Sequence, residues 1–321
     1  MHRIVAAVAA VTAATAALTA CGSSGSGGGG GGGGTDKITV GVIPIVDVAP
    51  IYLAKQNGYF AAQHIQVTLQ PESGGAAAVP GVVSGQFKFA FGNVVSLILA
   101  ESKHLPLRMV ANGNASTGVA GKDFSAVVVP RDSPIKTAKD LVGKTVSVNN
   151  LKNVGDTTVR ASIRKAGGDA TKVRFVEMGF PDMPAALQKH RVDAAWVVEP
   201  FLTAAKQQGA RVVAWNMVDT APHMTVATYF TSEKVLKDDP DLVKRFKAAI
   251  GEGLAYAQSH PDAVRKILGT YTKISPSVAQ QMTLPAWPPK VNEQSVRTLA
   301  RLMQQDGLIK QQPDLPALLP S

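Results

Sequence analysis

The chain has 321 residues, of which 45% are hydrophobic and 17% charged, and its formal net charge at pH 7 is +10. That length and apolar share allow a substantial core in one large domain or in two lobes. The basic residues are scattered and lack the dense Lys/Arg runs with interleaved aromatics of a nucleic-acid-binding face, so we expect no nucleic-acid partner and a solvated basic surface.

The first 20 residues have the pattern of a secretory signal peptide. A single positive charge, Arg3, precedes an alanine-rich apolar run from Val5 to Ala20 that is too short to hold a bilayer. The run ends in Leu18-Thr19-Ala20-Cys21, which resembles a bacterial lipobox, and Cys21 is the only cysteine. We therefore predict an exported protein, anchored to the outer face of the cell membrane through lipidated Cys21, with the lipid bilayer as one partner.

Residues 22–34 are glycine and serine only, a composition typical of a flexible tether. The sequence thus divides into a signal peptide at 1–20, a lipidated cysteine with its linker at 21–34, and a folded part from residue 35.

Short apolar runs alternate with helical stretches in a first block. We predict strands at 38–43, 65–69, 87–91 and 107–111, and helices starting near Pro50, after Gly75 and at Val94. This rhythm is typical of a parallel sheet with crossover helices. Pro80 lies inside the second of these helices, and we expect it to kink that helix.

The pattern then restarts in a second block, followed by a helical tail. We predict strands at 126–130, 145–148, 173–176, 194–197, 212–214 and 225–231, and helices at 154–165, 183–189, 200–208, 241–259, 261–268, 278–282 and 293–306. The strands near 125–130 and 225–231 are natural crossings between two lobes. We therefore predict lobe 1 at 35–125 plus 226–321 and lobe 2 at 126–225, joined by a two-stranded hinge, with the tail packed on lobe 1.

Small or polar residues mark the carboxyl ends of many predicted strands, where ligands gather in open α/β sheets and helix N-termini favour an anionic group. Each alone is more simply a helix cap or a turn, but the set on two facing lobes predicts a ligand cleft. Glu199 fits either an amine-binding role or an acid at a helix N-terminus, and Phe180 and Trp196 fit either a site wall or the core. The marked segments are 46–48, 73–75, 92–93, 112–114, 149–150, 153–156, 180–182 and 196–200.

Residue patterns for catalysis and metal binding are weak. The histidines at 64, 104, 190, 223 and 260 are scattered, with no two at metal-ligand spacing, and the predicted folded part has no cysteine nucleophile. We therefore expect no enzyme, no metal and no cofactor.

Several short motifs, in their order and spacing from Thr35 to about Ile309, resemble the SsuA/THI5-like (NMT1-type) solute-binding proteins of ABC importers. The motifs are Ala49–Lys55 with Gly58-Tyr59-Phe60, Ser84-Gly85-Gln86 before Phe89–Gly92, Asp140–Lys144, and Asp193–Trp196 through Glu199-Pro200-Phe201. The resemblance implies a periplasmic-binding-protein-like (type II) two-lobed α/β fold with parallel-rich sheets, which closes over a small-molecule ligand and docks on a membrane permease. We expect a monomer.

The same resemblance points to Val46, Ser73, Gly74, Gly92, Asn93, Asn153 and Glu199 as lining positions, and the strand-end pattern adds Asp47, Asn114, Phe180 and Trp196. We predict an anionic or zwitterionic solute, such as a sulfonate, taurine or nitrate. The alternatives are a thiamine-precursor pyrimidine, disfavoured because the His-rich start of pyrimidine-binding relatives is missing around Asp47, and a secreted enzyme or a sensor module on the same fold.

Overall fold

The structure, a computed structural model, describes residues 34–320. The predicted signal peptide, Cys21 and almost all of the Gly/Ser linker lie outside the described residues. Within them the strands are β1 (Asp36–Val42), β2 (Ile65–Pro71), β3 (Phe89–Asn93), β4 (Leu107–Ala115), β5 (Ser125–Val129), β6 (Thr145–Val148), β7 (Arg174–Glu177), β8 (Ala194–Val198), β9 (Arg211–Ala214) and β10 (Thr225–Ser232).

The ten strands form two five-stranded sheets. The first sheet has the order β2-β1-β3-β10-β4 and the second the order β7-β6-β8-β5-β9. In the first, β1 runs parallel to β2 and β3, whereas β10 is antiparallel to both β3 and β4. In the second, β6 is parallel to β7 and β8, and β5 is antiparallel to β8 and β9. Both sheets are therefore mixed.

The antiparallel strands are those that follow a crossing between the sheets. The chain passes from β4 to β5 through residues 116–124 and returns from β9 to β10 through residues 215–224. It enters each new sheet without a crossover helix of the βαβ kind, so the entering strand is free to run antiparallel. β5 and β10, like β3 and β8, are buried along their whole length, because both faces of the sheet are covered.

Helices cover these sheets and form the tail. Within residues 34–320 they are α1 (Ala49–Gln56), α2 (Tyr59–Ala62), α3 (Gly75–Val83), α4 (Val94–Glu101), α5 (Val154–Lys165), α6 (Met183–Gln188), α7 (Phe201–Gln207), α8 (Asn216–Thr220), α9 (Glu233–Asp238), α10 (Pro240–Ser259), α11 (Pro261–Leu268), α12 (Pro276–Gln281), α13 (Glu293–Gln305) and α14 (Leu315–Leu318). None of them is long and apolar enough to cross a membrane.

The tail packs mainly on the first sheet's helices and touches those of the second. α10 and α11 pack on α1, α13 contacts both α4 and α5, and α12 contacts α7. Phe246 of α10 stacks on Phe89 of β3, with ring centroids 3.8 Å apart and an interplanar angle of 2°. Together with Phe60 and Tyr229, these rings form an aromatic centre beneath the first sheet.

The first crossing segment is held by a buried carboxylate. Asp123 accepts hydrogen bonds from the Ser116 hydroxyl at 2.7 Å and from the Thr117 and Phe124 N–H groups, both at 3.0 Å. Burial raises the pKa of Asp123, while these hydrogen bonds lower it. The Asp123 carboxylate therefore ties the two ends of this crossing segment together.

Two local predictions fare differently. Pro80 lies inside α3 as predicted and has no N–H to donate to the Ala76 carbonyl one turn earlier; the kink expected there stays a prediction. We expected the segment 112–114 to follow a strand. This was wrong, because β4 continues to Ala115 and the segment lies within it. Asn112 and Asn114 lie opposite Thr228 and Ala227 of β10, and this pairing extends the ladder beyond the apolar run.

Candidate functional site

A small cavity lies between the two sheets, where β1, β3, β6 and β8 end. Its volume is about 30 Å³, and every residue that lines it is buried. The first sheet and the loop after β1 contribute Ile43, Ile45, Asp47, Phe91, Asn93, Val226 and Ala227. The second sheet and its adjoining segments contribute Asn149, Val154, Phe180, Trp196 and Val198. Residues of both lobes therefore enclose the same space.

Among the described residues that line this cavity, Asp47 is the only one with an ionisable side chain. It lies in a 3-10 turn (Val46–Val48) after β1 and is 2% exposed. Its Oδ2 accepts a hydrogen bond from Asn114 Nδ2 at 2.7 Å, and its Oδ1 has no protein partner. Burial raises the pKa of Asp47 to about 7, because it outweighs hydrogen bonds that favour the charged form.

Further buried oxygens on the surrounding strands have no protein partner. They include the side-chain carbonyl oxygens of Asn112, Asn114, Asn149 and Asn150 and the hydroxyls of Ser147, Thr228 and Tyr229. The amide nitrogens of three of these asparagines are already used: Asn114 donates to Asp47, Asn112 donates to the Pro288 carbonyl at 2.6 Å, and Asn149 donates to the Ser73 carbonyl at 3.3 Å. Buried polar atoms require partners; the amide carbonyl oxygens can only accept hydrogen bonds, whereas the hydroxyl groups can also donate them.

Two of the hydrogen bonds that join the lobes beside the cavity come from asparagine side chains. One is the bond from Asn149 to Ser73, and the other runs from Asn153 Nδ2 to Ser96 Oγ at 2.9 Å. Asn153 is also the N-cap of α5, where its Oδ1 accepts from the Val154 N–H at 2.7 Å. Both ends of the Asn153 amide thus have protein partners, and its side chain stabilises the contact between α4 and α5.

Aromatic rings form the second lobe's wall. Phe180 meets Trp196 edge-on, with ring centroids 5.3 Å apart and an interplanar angle of 64°. Trp196 is fixed from two sides: its Nε1 donates to Ser125 Oγ at 2.8 Å, and Gly155 of α5 lies so close that a Cβ there would be 2.3 Å from the ring. These two contacts fix the position of the Trp196 indole in the wall.

Glu199 connects three parts of the chain behind this wall. Its carboxylate accepts from the Thr203 N–H at 3.0 Å, the Thr203 hydroxyl at 2.8 Å and the Thr283 N–H at 3.2 Å. Its backbone carbonyl accepts from the Val46 N–H at 3.2 Å, beside Asp47. Burial raises the pKa of Glu199, and the bonds from Thr203 lower it. Both carboxylate oxygens have protein partners, in contrast to Asp47.

The predicted site residues fall into two groups. Asp47, Asn93, Phe180 and Trp196 line the cavity. The others surround it: Asn114 is bonded to Asp47, Val46 and Glu199 are bonded to each other, Ser73, Gly74 and Asn153 lie where the lobes meet, and Gly92 packs under Gly75 of α3.

Some lining residues were missed from the sequence. Ile43, Ile45, Val198 and Val226 belong to apolar runs, which are indistinguishable from core strands. Asn149 was signalled by the polar pair 149–150 after a predicted strand, although it was not among the selected site residues. Within residues 34–320, no group of three or more His, Cys, Asp or Glu side chains could hold a metal ion.

Comparison with known proteins gives a consistent picture. The model of the NMT1/THI5 like family matches residues 45–264. The chain is 25% identical over 225 residues to the formylaminopyrimidine-binding protein of Halalkalibacterium halodurans, covering 68% of this chain and 65% of that protein. It is 25% identical over 232 residues to the riboflavin-binding protein RibY of Chloroflexus aurantiacus, covering 70% of this chain and 63% of that protein. The chain thus spans less than two thirds of the length of either relative.

The fold is shared with solved structures. The alkanesulfonate-binding protein SsuA from Xanthomonas axonopodis pv. citri, bound to MOPS, superposes with a TM-score of 0.75 at 16% identity, over 90% of this chain and 99% of that chain. The two-lobed periplasmic-binding-protein fold predicted from the sequence is therefore confirmed.

The raised pKa of Asp47 predicts a pH-dependent stability. The unfolded carboxyl releases its proton near its ordinary pKa of 3.8, whereas the folded one keeps it until about 7. Between these two pH values the folded state holds a proton that the unfolded state has released, and this proton stabilises the folded state. The stabilisation is complete below about pH 4 and is lost as the pH rises to 7. Asp47→Asn removes this titration. We expect the free energy of unfolding of the variant, relative to wild type, to rise by on the order of 3 kcal/mol between pH 4 and pH 8.

Urea unfolding of both proteins across this pH range measures the difference. A difference that stays constant with pH would show that the Asp47 carboxyl titrates normally in the folded protein.

Gly74 predicts a steric test of the contact between the lobes. A Cβ at this position would be 1.8 Å from Asn150 Oδ1 and 2.9 Å from Asn149 Nδ2, both on the other lobe. Both atoms are ends of flexible side chains, so we expect Gly74→Ala to displace them, to break the bond from Asn149 to Ser73 and to lower the free energy of unfolding in urea by about 1 kcal/mol. Gly251→Ala is the control, because a Cβ there meets no atom within 4 Å, and it should not lower the free energy of unfolding. A Gly74→Ala protein as stable as wild type would contradict the expected clash.

Proposed function

The chain belongs to the NMT1/THI5-like family, and we propose that it is the extracytoplasmic solute-binding component of an ABC importer. Its ligand is a small planar heteroaromatic molecule, or an amine-bearing one, that donates hydrogen bonds to Asp47 in the cavity between the lobes. The observation that carries this proposal is the buried Asp47 carboxyl, which has a free oxygen and shares its cavity with no cationic side chain of the described residues.

The charge of this site argues against a simple oxyanion. Above its pKa of about 7 Asp47 is ionised, and a sulfonate or nitrate would then place a second negative charge beside it in a buried setting, where like charges repel strongly. A hydrogen bond from a ligand N–H to an ionised carboxylate contributes about 1.5–3 kcal/mol. The balance favours a donor ligand over the plain anions among the solutes suggested by the sequence, and a zwitterion with an amine, such as taurine, remains compatible.

The names of the relatives support the same ligand class. One is a formylaminopyrimidine-binding protein and the other a riboflavin-binding protein. Both ligands are planar nitrogen heterocycles with N–H donors. The aromatic wall of Phe180 and Trp196 suits such a ring, because aromatic faces and edges pack favourably against one another.

Closure of the lobes is the step that couples binding to transport in this proposal. Asp47 belongs to the first lobe, and Asn149, Phe180 and Trp196 belong to the second. A ligand that contacts both groups binds the closed arrangement more tightly than an open one, and this difference drives closure. The closed monomer then docks on its membrane permease. The protein acts by binding, and intact ligand recovered after incubation would distinguish this from the enzymatic alternative.

Proton linkage gives a sharp test of the donor ligand. We expect cytosine, which stays neutral between pH 5.5 and 8, to bind more tightly as the pH rises through the pKa of Asp47, about 7, because the ionised carboxyl is the better acceptor. Methanesulfonate should show the opposite trend, since only protonated Asp47 can donate to it. Isothermal titration calorimetry at several pH values measures both affinities.

The matched variants are Asp47→Asn and Asp262→Asn, the second an exposed acid on α11. We expect Asp47→Asn to weaken cytosine binding by roughly 10–100-fold and to abolish its pH dependence, and Asp262→Asn to do neither. Tighter binding of methanesulfonate than of cytosine at pH 8 would refute the donor-ligand proposal.

Membrane attachment through Cys21 is the remaining part of the proposal, supported by the Leu-Thr-Ala-Cys motif and the following Gly/Ser segment. We expect Cys21→Ser to move the protein from the membrane to the soluble fraction, because the lipid is then lost, while ligand affinity is unchanged. Fractionation and immunoblotting of bacterial cells measure the distribution, with Ser23→Ala as control. A membrane-bound Cys21→Ser protein would place the anchor elsewhere.

A further inference from the structure

The inner cavity is too small for the ligand class proposed above. Its volume is about 30 Å³, whereas a cavity of roughly 150 Å³ holds one benzene ring. Its walls cannot simply expand, since every lining residue is buried and packed. A heteroaromatic ligand therefore needs space that lies beyond the present walls.

A larger groove lies directly behind one of these walls. Its volume is about 430 Å³, within the range of small-molecule sites. Its lining is mostly apolar and includes Pro44, Pro181, Pro184, Phe201, Tyr271 and Ile274. Lys273 is the only charged residue among the described residues that line it, and it is exposed at the edge.

The wall between the two spaces is one residue thick on each side. In the segment after β1, Ile43 and Ile45 line the cavity while Pro44 lines the groove. In the segment after β7, Phe180 lines the cavity and Pro181 lines the groove. One segment follows a strand of the first sheet and the other a strand of the second, so the boundary between the two spaces runs along the contact between the lobes.

Aromatic contacts run through this wall from one space to the other. Phe180 packs edge-on against Trp196 of the cavity and lies parallel to Phe201 of the groove, with ring centroids 6.2 Å apart and an interplanar angle of 8°. The groove's far side is fixed to the same wall, because Tyr271 donates a hydrogen bond to the Ile45 carbonyl at 3.1 Å and stacks on Tyr52 at 3.9 Å. Aromatic rings therefore line the cavity, the groove and the wall between them.

We propose that the cavity and the groove are the two ends of one ligand site, in which a hydrogen-bonding head binds at Asp47 and an aryl extension of the same molecule occupies the groove. The inference rests on the proposed function for the head and adds the shape of the ligand: an elongated heteroaromatic compound, neutral or anionic at its far end, where Lys273 lies. The continuity of the wall residues between the two spaces favours this occupant over a separate molecule.

A matched pair of probes tests the extension. The probes are 2,4-diaminopyrimidine and its 5-benzyl derivative, which carry the same head, and calorimetry gives both dissociation constants. We expect the benzyl compound to bind roughly tenfold tighter or more, because its ring leaves water for the groove. Ala204→Phe fills the groove, since Ala204 lines it, and should abolish this advantage without weakening the parent compound.

Ala185→Phe fills the same groove from an exposed position on α6 and replaces Ala204→Phe if that variant fails to fold. Ala61→Phe, exposed on α2, is the control for an added ring. Equal binding of the two probes, or a benzyl advantage that survives both groove variants, would overturn the inference and leave the proposed function intact. Binding of neither probe would refute the proposed head group, and the two-ended site with it.

Discussion

Burial of a carboxyl group without a cation is the constraint that organises this site. Asp47 lies between two sheets with a single side-chain hydrogen bond, from Asn114, and a free Oδ1. An isolated buried charge is costly, so the group keeps its proton until the pH reaches its pKa of about 7. Glu199, equally buried, shows the contrasting solution, since Thr203 and Thr283 supply donors to both its oxygens. The fold supplies donors to both oxygens of one acid, and it leaves one oxygen of the other without a protein partner.

Hydrogen bonds join the lobes at several places around the cavity: Asn149 to Ser73, Asn153 to Ser96, and Val46 to the Glu199 carbonyl. Asn149 to Ser73 and Asn153 to Ser96 are hydrogen bonds of a kind that contributes about 1 kcal/mol each, because water replaces them on separation. An apolar contact of the same area would hold the lobes together more firmly. The first crossing segment is held by more bonds, because Asp123 ties the turn at 116–124 to Ser116, Thr117 and Phe124.

The sequence predicted the family resemblance and the two-lobed fold, both confirmed, because alternating apolar runs and helical stretches are local signals. β6 at Thr145–Val148, α5 at Val154–Lys165 and α11 at Pro261–Leu268 match their predicted bounds. The direction of the strands was harder to predict from the sequence. β5 and β10 run antiparallel because of where the chain crosses between the sheets, and no local sequence pattern indicates that. The hydrogen-bond partners of individual side chains were hardest to predict from the sequence. Asp47 and Glu199 are both acids near strand ends, and only the fold determines which of them has donors.

The net charge of the protein is positive, whereas the ionisable residue in the cavity is an acid. The effect of each charge on a molecule in the cavity depends on its distance from that molecule. The chain carries a formal +10, yet among the described residues lining the cavity the one ionisable group is an acid. Exposed charges more than about 10 Å away are screened by physiological salt, whereas a buried charge in contact with the ligand is not. The basic surface therefore influences how often anions approach, but it contributes little to the affinity of a molecule enclosed beside Asp47. Ligand class follows from the donors and acceptors of the cavity, which composition does not report.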